Sequence, residues 1–148
     1  MLRGVDPRLG ADVLHALRAM GHGDVVALVD MNFPAEAVAR ATTVGRLLRM
    51  DSLSLPAAAE AVLSVLPLDT FVDDFAGRME VVGDPRAVPE VQDEVAALVA
   101  ATGEARPMVG IERFAFYDMA RTAFAVVQTG EGRFYGCVMF RKGVIAPK

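Results

Sequence analysis

The chain has few of the groups that usually announce chemistry. In 148 residues it carries one cysteine (Cys137), two histidines (His15 and His22) and no tryptophan. A single thiol forms no internal disulfide, which is consistent with a reducing compartment. Two histidines and a lone cysteine without ligand spacing make a metal site unexpected. Basic residues are in the minority, 15 Lys and Arg against 19 Asp and Glu, for a net charge of −4. That balance lacks the basic stripe that nucleic-acid binding needs, and the basic residues at Arg3 to Arg8 and Arg141 to Lys148 are too sparse to supply one. No run approaches the ~20 apolar residues of a membrane helix, and no signal-peptide core opens the chain. These absences lead us to expect a soluble, cytoplasmic protein that binds neither nucleic acid nor membrane. No serine stands in a G-x-S-x-G elbow. Gly130-Glu131-Gly132 has no helix after it, so it reads as a turn and not as a phosphate loop.

Apolar substance is plentiful. The sequence is 53% hydrophobic, which excludes general disorder and points to apolar surface committed to subunit contacts. A chain of this length buries about 68–70% of its unfolded surface and favours a single domain, here residues 1–148.

Taken in order, Asp6-Pro7 is a helix-opening signature, followed by Leu9, Val13, Leu14, Leu17 and Met20 at helical spacing. Gly21 is placed to stop that helix in the left-handed conformation. Val25 to Val29 is a short continuous apolar run, as in a strand covered on both faces, and Asp30 ends it. Further helices are expected at 35–41, 57–66, 89–102 and 113–122, and strands at 43–50, 79–82, 107–111, 124–129 and 134–141. The last two strands, joined through Gly130-Glu131-Gly132, read as a hairpin. Helices alternate with strands through most of the chain. The expected architecture is therefore α/β: a three-layer α/β/α sandwich on a mixed, mostly parallel sheet.

Two residues stand out as candidates for chemistry. His22 lies between Gly21 and Gly23, and imidazole both gives and takes protons near neutrality. Its glycine neighbours would let a ligand come close. The same pattern also fits a turn histidine capping a helix C-terminus. Asp30 lies directly after an apolar strand, where open α/β sheets collect ligands, and it fits an N-cap or turn aspartate as well. A strand over 25–29 spans about 16 Å, so the two residues sit at opposite ends of it. One small ligand meets both only if the 21–24 loop folds back or if the site lies between subunits.

Several stretches together resemble the sugar mutarotase family that contains L-fucose mutarotase and D-ribose pyranase, the RbsD/FucU family. They are MGHGD before an apolar strand, D-x-N-F-P after it, VLPLDTFV at 65–72, ERFAFYDMARTAFAVVQTGE at 112–131, a Tyr-Gly pair opening the final strand, and FRKGV at 140–144. The likeness runs from about residue 7 to about residue 144 and is strongest to the fucose branch. It implies an RbsD-like fold and cofactor-independent interconversion of the anomers of a free sugar, most readily L-fucose. It further implies ring-like homo-oligomers, decamers among them, with sites near subunit contacts. His22 matches the acid/base histidine of the family, Asp30 and Arg113 its ligand-binding residues, and Tyr135-Gly136 the start of a three-residue ligand-contacting segment. The third place departs from the pattern: Cys137 stands where the family usually has asparagine. A thiol is a weak donor and acceptor where an amide is strong in both roles, which bears on the choice of sugar more than on the reaction. Without the resemblance, Arg113 fits a surface ion pair with Glu112 or Asp118, and Tyr135 fits strand packing. A pentose pyranase and a non-catalytic sugar-binding module are the alternative functions.

Overall fold

The computed structural model describes residues 1–147. Its helices are α1 (Ala11–Ala19), α2 (Ala35–Ala39), α3 (Leu55–Leu63), α4 (Glu90–Ala101) and α5 (Arg113–Thr122); its strands are β1 (Val25–Val29), β2 (Leu48–Met50), β3 (Ala76–Met79), β4 (Val109–Ile111), β5 (Ala125–Thr129) and β6 (Val138–Arg141). The strands form one sheet in the order β2-β5-β1-β6-β3-β4. β1 pairs in parallel with β5, β5 with β2, and β3 with β4, while β6 runs antiparallel to both β1 and β3. Five strands therefore point one way and β6 alone opposes them.

The apolar run of β1 is central because it can be buried on both faces. Val26 and Leu28 face a core shared with α1, α3 and α4; Ala27 and Val29 face a second core shared with α2 and α5. This two-residue alternation divides the helices into two layers around the sheet, as expected. Among the described residues no helix is long and apolar enough to cross a membrane.

Three local expectations are corrected. The first helix begins at Ala11 behind Gly10, not at Asp6-Pro7. The Asp6 carboxylate is taken by the backbone N–H and guanidinium of Arg8, 2.6–3.2 Å away, and closes a turn instead of capping a helix. The left-handed glycine after α1 is Gly23, φ 86°, and not Gly21. The end of α1 is closed from far along the chain, where Lys142 Nζ donates to the carbonyls of Leu17 (2.8 Å) and Met20 (2.6 Å).

The third correction matters most for function. β5 and β6 form no hairpin, because β1 lies between them. The connection, residues 130–137, crosses over the C-terminal end of β1, where Met31 N donates to Glu131 O at 3.0 Å. The final strand accordingly starts at Val138 and leaves Phe134 to Cys137 as loop.

Candidate functional site

That crossing loop supplies Phe134, Tyr135 and Cys137 to the wall of a pocket that Asp30 also lines. Asp30 is 4% exposed at the end of β1, and its carboxylate is surrounded by donors. Oδ1 accepts from the backbone N–H of Asn32 (2.9 Å) and Phe33 (3.0 Å), closing the turn that leads into α2. Oδ2 accepts from Gly136 N (3.1 Å) and from the Cys137 thiol, with Sγ 3.6 Å away. Asp30 thus makes the turn foreseen for it and also holds the 135–137 segment over the strand end. A side chain at 136 has no room: a Cβ there would stand 2.7 Å from Glu131 Cγ and 3.2 Å from Asp30 Cβ.

Tyr135 has φ +61°, the one positive φ outside glycine among the described residues. Such a backbone costs about 1–3 kcal/mol and persists only where its surroundings impose it. Here three groups do so. Its carbonyl accepts from Gln92 Nε2 at 2.8 Å, its phenol oxygen from Val82 N at 3.2 Å, and the following N–H is bound by Asp30. Gln92 is fully buried on α4, and its second N–H donates to Met79 O at 2.8 Å.

Arg113 opens α5. The Glu112 side chain caps that helix, accepting from Phe114 N (2.9 Å) and Ala115 N (3.1 Å), and Asp118 pairs with Arg121 at 2.8 Å. Neither carboxylate forms the ion pair that the sequence left open for Arg113. Instead its Nε donates to the Tyr117 phenol oxygen at 3.0 Å, one helical turn on. That hydrogen bond is the main cause that raises the guanidinium pKa further above its ordinary value.

Asp30, Arg113, Tyr135 and Cys137 line one open cavity of about 350 Å³ together with Asn32, Phe33, Met79, Tyr117 and Phe134. Gly136 does not line it and is tied to it through the bond from its N–H to Asp30 Oδ2. The size falls at the lower end of small-molecule sites, and the lining alternates hydroxyl, guanidinium and carboxylate groups with an apolar floor. Burial beside the Asp30 carboxylate pushes the Cys137 thiol well above its ordinary pKa of 9.0.

His22 does not line this cavity. It sits at the other end of β1, its side chain 48% exposed, with Nε2 3.0 Å from Oδ2 of the buried Asp69. Asp69 Oδ1 accepts from Phe71 N at 3.2 Å, and the exposed Phe71 ring meets the imidazole edge-on, centroids 6.0 Å apart. Gly23 N donates to Lys142 O (2.8 Å) and Arg141 Nη1 donates to Gly23 O (3.0 Å), fixing the loop. The 21–24 loop does not fold back toward Asp30 within one chain, and Lys142, not His22, satisfies the end of α1.

Sequence reasoning missed Asp69, Tyr117 and Gln92. Asp69 lies inside VLPLDTFV, where it served only as part of a motif. Tyr117 stands four residues after Arg113, the spacing at which helix neighbours meet. Gln92 carried no local signal.

Residues 3–145 match the RbsD / FucU transport protein family. The fucose mutarotase of Homo sapiens is 42% identical over 148 residues, covering 98% of this chain and 95% of that one. The crystal structure of protein Atu2016 is similar with a TM-score of 0.95 and 56% identity, covering 99% of this chain and 97% of that one. The fucose mutarotase from Streptococcus pneumoniae, solved in complex with L-fucose, is similar with a TM-score of 0.88 and 29% identity, covering 98% of this chain and all of that one.

Proposed function

Since the chain belongs to the RbsD/FucU family, we propose that it is a cofactor-independent sugar mutarotase, an isomerase that interconverts the α and β anomers of a free monosaccharide, L-fucose first among them. The supporting observation is the convergence of Asp30, Arg113, Tyr117 and Tyr135 on one cavity of about 350 Å³. Relatives up to 42% identical are fucose mutarotases, and their activity is the one this chemistry serves.

Opening a pyranose requires a proton taken from the anomeric hydroxyl and one given to the ring oxygen; closure on the other face reverses both transfers. The sum is zero, so one group that can give and recover a proton near neutrality is sufficient. His22 has that chemistry, and Asp69 orients its ring through Nε2. In this reading the protonated His22 gives its proton to the ring oxygen as the C1–ring-oxygen bond breaks, and the neutral imidazole then takes the proton that the anomeric hydroxyl loses; closure on either face runs the same transfers backwards. Arg113 offers forked donors to neighbouring sugar hydroxyls. Asp30 and Tyr135 take further hydroxyls, and Gly136 and Cys137 complete the contact segment.

Because His22 and Asp30 stand at opposite ends of β1, a working site in this reading takes the histidine from one subunit and the cavity from its neighbour. That arrangement calls for a homo-oligomer, ring-like and decameric in the family's manner, of single-domain cytoplasmic subunits. Exposed Phe71 beside His22, and exposed Met31, Phe114 and Phe134 on the residues flanking the cavity, are apolar surface suited to such contacts.

The test is anomer exchange measured by saturation-transfer NMR across a panel of free sugars. Exchange of L-fucose abolished in His22→Ala, with the fold retained, is the expected result. Exchange of ribose alone would make the protein a pentose pyranase; binding without exchange would make it a sugar-binding module. An unchanged rate in His22→Ala would remove the histidine from the mechanism.

A further inference from the structure

Gln92 occupies the third position of α4, on the buried side that it shares with Val91, Val95 and Val99. An apolar residue would suit that face, and an amide there must find partners for every polar atom. It does. One N–H goes to Met79 O and the other to Tyr135 O, both at 2.8 Å, and Oε1 accepts from Arg78 Nη1 at 3.3 Å. The same guanidinium is held by the carbonyls of Ala87 (3.2 Å) and Pro85 (3.1 Å), which keeps the amide in one orientation.

Both carbonyls that Gln92 binds belong to residues lining the cavity, Met79 and Tyr135. Tyr135 is also the strained one, at φ +61°. That backbone turns the following N–H toward Asp30 and leaves the phenol against Val82 N on the cavity wall. Of the three groups that hold this backbone, Gln92 is the one that binds the Tyr135 carbonyl itself, and a return to negative φ would swing the Gly136 N–H away from Asp30 and move the ring.

We propose that Gln92 is a positioning residue for the sugar pocket, a buried amide clamp that imposes the left-handed conformation of Tyr135 and so sets the distance between the phenol and Asp30. This rests on the mutarotase reading for its kinetic consequence, though not for its structural one. The clamp acts on binding at the Asp30 end, whereas proton transfer belongs to His22, so its loss falls on KM more than on kcat.

Gln92→Leu removes both donors. Gln92→Glu keeps the size and the acceptor for Arg78 but cannot donate when ionised, and it carries the test should the leucine variant not fold. The expected result is a rise in KM for L-fucose of about tenfold or more with a much smaller change in kcat. Amide hydrogen exchange at Gly136 should become faster in parallel, a readout that needs no turnover. Tyr135→Gly raises KM as well, but glycine adopts the left-handed backbone without help; adding Gln92→Leu to it should then leave KM within about twofold, since the two residues act as one unit. Wild-type KM and unchanged Gly136 exchange in folded Gln92 variants would overturn the proposal, as would effects that add fully in the double variant. Absence of anomer exchange in the wild-type protein would instead sink the mutarotase reading and leave the Gly136 measurement to decide on Gln92.

Discussion

At the scale of single residues, a position can be visible in the sequence while its surroundings are not. Asp30 was legible because a carboxylate after an apolar strand needs a reason to be there. Its four donors were not, since two of them come from residues more than a hundred positions away. Gln92 shows the opposite case: it sits beside Val91 on an amphipathic helix, and local pattern assigns such an amide to solvent. Only the tertiary positions of Met79 and Tyr135 give it a purpose. Cys137 carries a prediction at this scale. The thiol is 2% exposed and faces Asp30 Oδ2, so burial and the carboxylate both oppose its ionisation and its pKa lies well above 9.0. Thiolate is the reactive form. Iodoacetamide at pH 8 should therefore alkylate Cys137 in the native protein at least about tenfold more slowly than in denatured protein, followed by mass spectrometry. Equal rates would mean that the 135–137 segment opens freely from Asp30.

At the scale of elements, the alternation of helices and strands was readable, and the strand partners of β6 were not. Two strands separated by a glycine-rich turn read as a hairpin on local grounds alone. What defeats the hairpin is the length of the 130–137 segment and a buried charge within it. Glu131 is 4% exposed. It accepts from Arg133 N and Nε at 2.9 Å through Oε1, and through Oε2 from Arg133 Nη2 (3.0 Å) and Leu55 N (3.2 Å) at the start of α3. The glutamate anchors the crossing loop to the helix layer beneath it. Its partners, Arg133 foremost, hold its pKa at about 2, against an ordinary 4.5. The native state thus favours the ionised form. The stability this contributes is complete above pH 4.5 and is lost as pH falls toward 2. Glu131→Gln should lower stability by about 1–3 kcal/mol at pH 7. Over pH 5 to 3 the wild-type melting temperature should fall more steeply than that of the variant, so the two curves converge in acid. Parallel curves would show that the loop is anchored by something other than this carboxylate.

At the scale of the whole molecule, one number legible in the sequence constrains the assembly. Five residues of strand separate the His22 loop from Asp30, about 16 Å of sheet, and the fold preserves that separation, with His22 engaged by Asp69 at one end and Arg113 and Tyr135 gathered at the other. Within a single chain His22 and the cavity lined by Asp30 are too far apart to serve one monosaccharide. The resolution proposed above, a head-to-tail contact that brings the histidine of one subunit to the pocket of the next, makes a quantitative prediction that no single-chain site shares. His22→Ala and Arg113→Ala should each be inactive alone. In oligomers co-assembled from equal amounts of the two, a site is complete only where a subunit keeping its histidine meets one keeping its arginine. Random assembly gives that pairing at about a quarter of the contacts, because a heterologous interface draws one patch from each neighbour. Anomer exchange should return to about a quarter of the wild-type rate after joint unfolding and refolding of the variants, or after their co-expression, with light scattering confirming particles of the wild-type mass. A site confined to one chain gives no recovery at any mixing ratio, so the rate of the mixture decides between the two arrangements.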